Sequence, residues 1–407
     1  GGLFKPAANV TREEFAKMVV LTKKLTPITP ATPTFKDVPA TRWSYGYVEA
    51  AAKAGYVTGV GDGKFAPTSF IKRQDLAVLL VRATNQTAAA AKVDEVRVFA
   101  NDELTIPKYA VGAMTIAVQP TNQFLKWDDE RNIRPAVPAT RAECAFALYN
   151  VLKPISARKS SINIAEENAP ENFFPVISDS GYTAKAVTYL YGATIGVTPK
   201  NVAYPDMCLY VPSEANGHLI INKDGTVISD FQLRKGLKWS DGKPVTVADE
   251  IMGYDLYMSD KVQVVSRAPY DKITKIEKVN DLTLRVYWKE WDPYIVTGLP
   301  IYPDHILRPI FSKDEGAINT CDYNNNPIHC GPYIIKTNVA GAYTTMVPNP
   351  YWYGGTPAIK NITVQYITDT NTLLINMLTG QMDICSEGLT LADGVQVSEK
   401  MGNKYTV

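Results

Sequence analysis

Residues 58–77 read "TGVGDGKFAPTSFIKRQDLA". Glycines, an acid and an arginine follow one another here, ahead of a segment with helical spacing. A glycine-rich loop before a helix can cradle a phosphate, but the spacing excludes it. A phosphate loop requires Ser or Thr after its Gly-Lys. Here Gly63-Lys64 is followed by Phe65, and Thr58 stands where the first glycine belongs. A dinucleotide fingerprint fails as well, because Gly59, Gly61 and Gly63 alternate and no apolar strand leads into them.

The stretch belongs instead to a repeat. Phe65, Pro67, Arg73, Asp75 and Ala77 share their spacing with Phe4, Pro6, Arg12, Glu14 and Ala16, and again with Ile133, Pro135, Arg141, Glu143 and Ala145. The arginines are 61 and 68 residues apart. Thr11 with Glu14 and Thr140 with Glu143 are capping boxes, and Lys72 with Asp75 is a degenerate one. Helices are therefore expected over "REEFAKMVVLTKKL", "RQDLAVLLVRAT" and "RAECAFALYNVL". Each arginine takes the first helical position, where a positive helix end suits an anionic ligand. Upstream, "FKDVPATRWSYGYVEAAAKAGYVTG" and "FANDELTIPKYAVGAMTIAV" form a second shared element, with Phe35 matched to Phe99.

Residues 1–155 resemble a tandem of surface-layer homology domains. The spans are a partial repeat over 1–26, a nearly complete one over 33–86 and a divergent one over 93–155, which lacks the tryptophan and the glycine turn. The resemblance implies an all-α unit that binds a secondary cell-wall polymer, an anionic polysaccharide. By the same resemblance Arg12, Arg73 and Arg141 meet its acid groups, Trp43 lines a sugar groove and Asp62 shapes the turn or accepts a sugar hydroxyl. A guanidinium fork suits carboxylates because it pairs with them bidentately. The divergent turn puts the site at Arg141 in question.

The 407 residues carry 42 basic and 41 acidic side chains, a net charge of +1 that makes no case for a nucleic-acid partner. No apolar run approaches a membrane helix. The three histidines, His218, His305 and His329, fall in no metal spacing, and no Gly-x-Ser-x-Gly elbow occurs. No catalytic residues, metal or cofactor are expected, and the chain is not read as an enzyme.

Residues 156–175 are polar and proline-bearing and read as a linker. Beyond them "TLRVYWKEW", "GPYIIKTNV", "AYTTMVPN" and "NITVQYIT" read as strands, and "TVADEIMGYDLYMS" and "TNTLLINMLTGQ" as helices. The alternation indicates an α/β module with a mixed sheet. In order, "LRKGLKWSDGKPVT", "IHCGPY", "NPYWYGG" and "TGQMDI" resemble the family 5 extracellular solute-binding proteins of oligopeptide, dipeptide and nickel ABC importers, over 176–407. That resemblance implies the first lobe of a type II periplasmic-binding-protein-like fold, capturing peptides or other small solutes for an importer permease. The ligand-gripping residues are left unassigned. Both ends are read as truncated relative to a longer protein. A cysteine replaces the family's small residue before Gly331, and Cys321 and Cys330 bracket "CDYNNNPIHC", so a loop-closing disulfide is expected between them.

Together these imply an extracellular, wall-anchored solute-binding protein at the cell envelope. The alternative is a structural surface-layer (S-layer) protein that self-associates and uses the binding fold as a lattice block.

Overall fold

The repeat has a geometric cause. Three short segments, one from each copy, bond head to tail: Ile71 N–H donates to Val10 O, Val10 N–H to Ala139 O and Ala139 N–H to Ile71 O, at 2.8–3.0 Å. All three residues are buried. The ring is the centre of the first of two compact units, Gly1–Arg158 and Lys159–Val407. The computed structural model describes residues 3–153, 159–402 and 404–405.

Each segment of the ring leads into a helix: α1 (Arg12–Thr22), then after α2 (Tyr45–Lys53) α3 (Arg73–Ala83), then after α4 (Thr87–Ala90) and α5 (Val111–Val118) α6 (Arg141–Leu152). The two full capping boxes are formed, at Thr11/Glu14 and Thr140/Glu143. α3 starts without a side-chain cap, because Lys72 offers no acceptor. Val19, Leu80, Ala117 and Leu148, one from each of α1, α3, α5 and α6, meet in one apolar core. α2 buries Tyr45, Val48 and Ala51.

The second unit opens with β1 (Ser161–Glu166) and α7 (Gly181–Val187), followed by the small hairpin β2 (Ile195–Val197) and β3 (Ala203–Pro205). Next come β4 (Leu219–Ile221), β5 (Val227–Gln232), α8 (Val247–Met258), β6 (Ile273–Asn280) and β7 (Thr283–Trp288). α9 (Asp304–Lys313), β8 (Tyr333–Val339), β9 (Tyr343–Pro348), β10 (Asn361–Tyr366), α10 (Thr370–Thr379), β11 (Ile384–Cys385) and α11 (Leu391–Met401) complete it. One sheet has the order β11-β1-β10-β9-β8 and is mixed: β1 runs parallel to β10 and β11, whereas β9 is antiparallel to both its neighbours. The other, β4-β5-β7-β6, is antiparallel. Alternation places Leu284, Val286 and Trp288 inward, and the Trp288 indole donates to Ser229 Oγ at 2.8 Å.

Two expectations are corrected. Residues 161–166 of the expected linker are a central strand. Polar Ser161 and Asn163 suggested a loop, but Ile164 and Ala165 fill opposite apolar clusters, and β1 bonds to strands on both sides. Residues 156–158 of that linker lie outside the described residues. The second correction is the Cys321–Cys330 bridge, which is not formed. Cys330 is buried and accepts from Gly192 N–H, while Cys321 Sγ lies against Ile318 O and Asn324 Oδ1, both at 3.4 Å. Tyr323 fills the loop's interior in their place, among Phe174, Tyr302 and Tyr191. Alkylation of the denatured chain without reductant is therefore expected to label both thiols. In the folded protein Cys330 is expected to resist, because burial also pushes its pKa up to about 12. Recovering a 321–330 disulfide peptide from air-exposed protein would overturn this.

Candidate functional site

The spacing of the repeat is explained by what each residue bonds in the next copy. The first two helical N–H groups of α1 donate to Ser69 O and Pro67 O, those of α3 to Val137 O and Pro135 O, and those of α6 to Ala8 O and Pro6 O. The three arginines extend the pattern. Arg12 Nε donates to Phe65 O at 2.8 Å, Arg73 Nε to Ile133 O at 2.7 Å and Arg141 Nε to Phe4 O at 2.8 Å. The apolar-x-Pro pair is thus the acceptor and Arg the donor of one inter-copy staple. The first N–H groups of each helix are already satisfied by carbonyls and are not vacant anion sites, so the expected anion site at a positive helix end is corrected to a side-chain groove.

Among the described residues two such grooves are formed. The first, about 400 Å³, is headed by Arg12 and walled by the glycine hairpin at 58–60, Tyr109 and the α3 residues Asp75, Val78, Leu79 and Arg82. Arg12 also donates to Thr58 O (3.1 Å) and lies 4.9 Å over the Phe65 ring. Arg82 donates to Thr58 Oγ1 at 3.1 Å. Asp75 is approached by Tyr109 O–H at 2.7 Å, and burial together with that bond raises the phenol pKa to about 12. Burial lowers the Arg12 pKa.

The second groove, about 330 Å³, has Arg73 at its head with Phe124, Lys126, Trp127, Asp128, Arg134, Glu143 and Phe146 around it. Arg73 is only 5% exposed. Its remaining donors reach Lys126 O at 2.6 Å and the Glu143 carboxylate. Burial lowers its pKa, and Glu143 opposes that.

The third copy keeps the hairpin despite its different sequence. Val60 N–H bonds Lys64 O at 2.8 Å, and Asp128 N–H bonds Asn132 O at 2.9 Å. Arg131, at φ 60°, takes the left-handed place of Gly63, at φ 70°. It stacks 3.8 Å over the Trp127 ring and donates to Phe99 O. The hairpin ends are capped alike: Asp37 accepts from Phe65 and Ala66 N–H, and Asp102 from Ile133 and Arg134 N–H. This register equates Phe35 with Ala100, one residue from the Phe99 that the sequence suggested.

Trp43 and Asp62 line neither groove. Trp43 is 53% exposed, with Lys17 Nζ 5.7 Å over its ring. Asp62 is exposed at the hairpin tip with φ 51°. Arg141 lies 5.7 Å over the Phe4 ring and heads neither groove. Sequence reasoning missed Arg82, Tyr109 and Trp127. Arg82 was within reach, since Asp75, Val78, Leu79 and Arg82 fall at i, i+3, i+4 and i+7 on one helical face.

In the second unit, a cavity lies between the mixed sheet and α7, near Glu166 at the carboxyl end of β1. Its volume, about 20 Å³, suits one water and no solute. The Glu166 carboxylate there is occupied by Lys185 at 3.1 Å and Ser386 at 2.7 Å. No helix among the described residues is long and apolar enough to cross a membrane, and none of their His, Cys, Asp and Glu cluster as metal ligands.

Residues 34–77 match the model of the S-layer homology domain, and residues 211–405 that of the bacterial extracellular solute-binding proteins, family 5 middle. A probable ABC transporter-binding protein of Deinococcus radiodurans is 31% identical over 180 residues, 38% of this chain and 30% of that protein. The oligopeptide-binding protein AppA of Bacillus subtilis is 25% identical over 186 residues, 44% of this chain and 33% of that protein. Among solved structures, an oligopeptide-binding protein from Thermus thermophilus in complex with a pentapeptide aligns with a TM-score of 0.54 at 20% identity, over 60% of this chain and 48% of that one. AppA in complex with a nonapeptide aligns with a TM-score of 0.53 at 18% identity, over 60% and 47%. The chain spans less than half the length of each of these proteins. The likeness establishes the fold: a helical unit carrying an S-layer homology domain, followed by a family 5 solute-binding fold of the type II kind with a mixed sheet.

Proposed function

With an S-layer homology domain placed before a family 5 solute-binding domain, we propose that the chain holds a solute-binding module at the cell surface. The first unit grips an anionic wall polysaccharide through its inter-copy grooves. The second contributes to capture of peptides or similar solutes for an ABC importer. The observation that carries the reading is the pair of grooves, each headed by a repeat arginine and walled by the next copy's hairpin. The groove at Arg12 offers a charged fork beside apolar walls, the combination an acidic sugar requires. Support for capture comes from relatives named as transporter-binding and oligopeptide-binding proteins.

Cosedimentation with purified wall polymer tests the anchor. Arg12→Gln is expected to weaken binding about tenfold, the loss of one charge-assisted pair. Lys64→Ala, on the exposed hairpin, is expected to leave it within twofold. Equal losses from the two variants would remove the assignment of the groove. For the second unit, a thermal-shift series with peptides of increasing length is expected to raise its melting transition, and a flat response across the series would count against peptide capture.

A further inference from the structure

The two grooves share a backbone plan but not a pairing pattern. Glu143 and Asp75 occupy the same position, third in their helices and facing the arginine of the preceding copy. Glu143 is one methylene longer and meets Arg73, whose other donors reach Ile133 O and Lys126 O. Asp128 is likewise taken by Arg134, at 2.5 Å. Asp75 instead accepts the Tyr109 hydroxyl. Among the described residues neither Arg12 nor Arg82 forms an ion pair, and their bonds go to neutral oxygens of Phe65 and Thr58.

Net charge does not separate the grooves. The first has Arg12 and Arg82 against Asp75, and the second has Arg73, Lys126 and Arg134 against Asp128 and Glu143. Pairing separates them. The first offers two guanidinium forks that meet no carboxylate among the described residues, the second a single ammonium, Lys126, seated 4.2 Å over the Phe146 ring. A carboxylate gains more from two planar forks than from one flexible point charge. The second groove supplies aromatic faces instead, from Phe124, Trp127 and Phe146.

We propose that the grooves divide the glycan between them: Arg12 and Arg82 clamp its carboxylate, and the Arg73 groove takes an uncharged sugar ring, with Glu143 as the residue that excludes acid. This rests on the wall-polymer reading of the first unit. Arg82 is then the specificity-determining residue of the first groove.

The test uses the full chain and two probes, the methyl glycoside of a uronic acid, as a sugar carboxylate, and its uncharged parent. NMR of the arginine Nε–H groups reads the contacts. The acid probe is expected to shift Arg12 and Arg82 and to leave Arg73 unmoved. Arg82→Gln is expected to weaken it about tenfold and leave the parent sugar's binding unchanged. Glu143→Gln, which keeps a capping-competent side chain, is expected to let the acid probe shift Arg73. A shift of Arg73 in the unmodified chain, or an Arg82→Gln affinity within twofold, overturns the division. If no arginine responds while the polymer still sediments with the chain, the division falls and the anchor stands. If the polymer does not sediment with the unmodified chain, the anchor itself falls.

Discussion

Arg73→Ala is expected to destabilise the first unit by about 3 kcal/mol, before any effect on ligand binding is considered. The side chain is buried and joins two carbonyls and a carboxylate across copies. Truncation strands the buried Ile133 O, at about 1–3 kcal/mol for a group left dry, and also removes the bond to Lys126 O. Glu143 is about one-third exposed, so its loss of partner adds little. The equivalent change at Arg141 removes a staple to the exposed residue Phe4 and is expected to cost under about 1 kcal/mol. Denaturant unfolding followed by hydrogen exchange on α3 and α6 peptides separates the two. Equal effects at Arg73 and Arg141 would show that burial does not set the strength of the staple.

Glu250→Leu is expected to stabilise the second unit at neutral pH by about 1–3 kcal/mol, the penalty of an unsatisfied buried polar group. Glu250 lies on the buried face of α8 with no exposure, and among the described residues both carboxylate oxygens lack a partner. Burial, helped by the Asp249 charge, raises its pKa well above the usual range. The fold therefore favours the protonated acid over the carboxylate. That contribution is complete below about pH 4.5 and is lost as pH climbs toward the raised value. The gain from leucine should accordingly be larger at pH 7.5 than at pH 4.5. His329 works in the other sense: burial lowers its pKa to about 3, so its contribution is complete above 6.5 and declines as pH falls toward 3. Comparing each variant with the parent at both pH values isolates Glu250. A leucine variant less stable than the parent at pH 7.5 would mean that the carboxyl has a partner in solution.

The helix starts of the first unit were legible because capping is local: Thr11 and Glu14, or Thr140 and Glu143, announce a terminus within four residues. The strands "TLRVYW" and "NITVQY" were legible from alternation. Strand β1 was not, because a strand packed on both faces needs no alternation, and its partners β10 and β11 lie some 200 residues downstream. The repeat disclosed which arginines matter but not what they touch. Nothing local to residue 73 says that Glu143 will meet it while Asp75 turns to Tyr109. The expected disulfide failed for a related reason, since adjacency in a loop does not fix where two side chains point, and Cys330 turns toward Gly192.

The hydrogen bonds among Val10, Ile71 and Ala139 run in a circle. A circle has no terminus, so it offers no edge on which a further module could stack, unlike an open solenoid that lengthens one unit at a time. Three is thus the count at which this assembly is saturated. Loss of any one member leaves the other two each short of a neighbour, so the trio should melt as a single cooperative event.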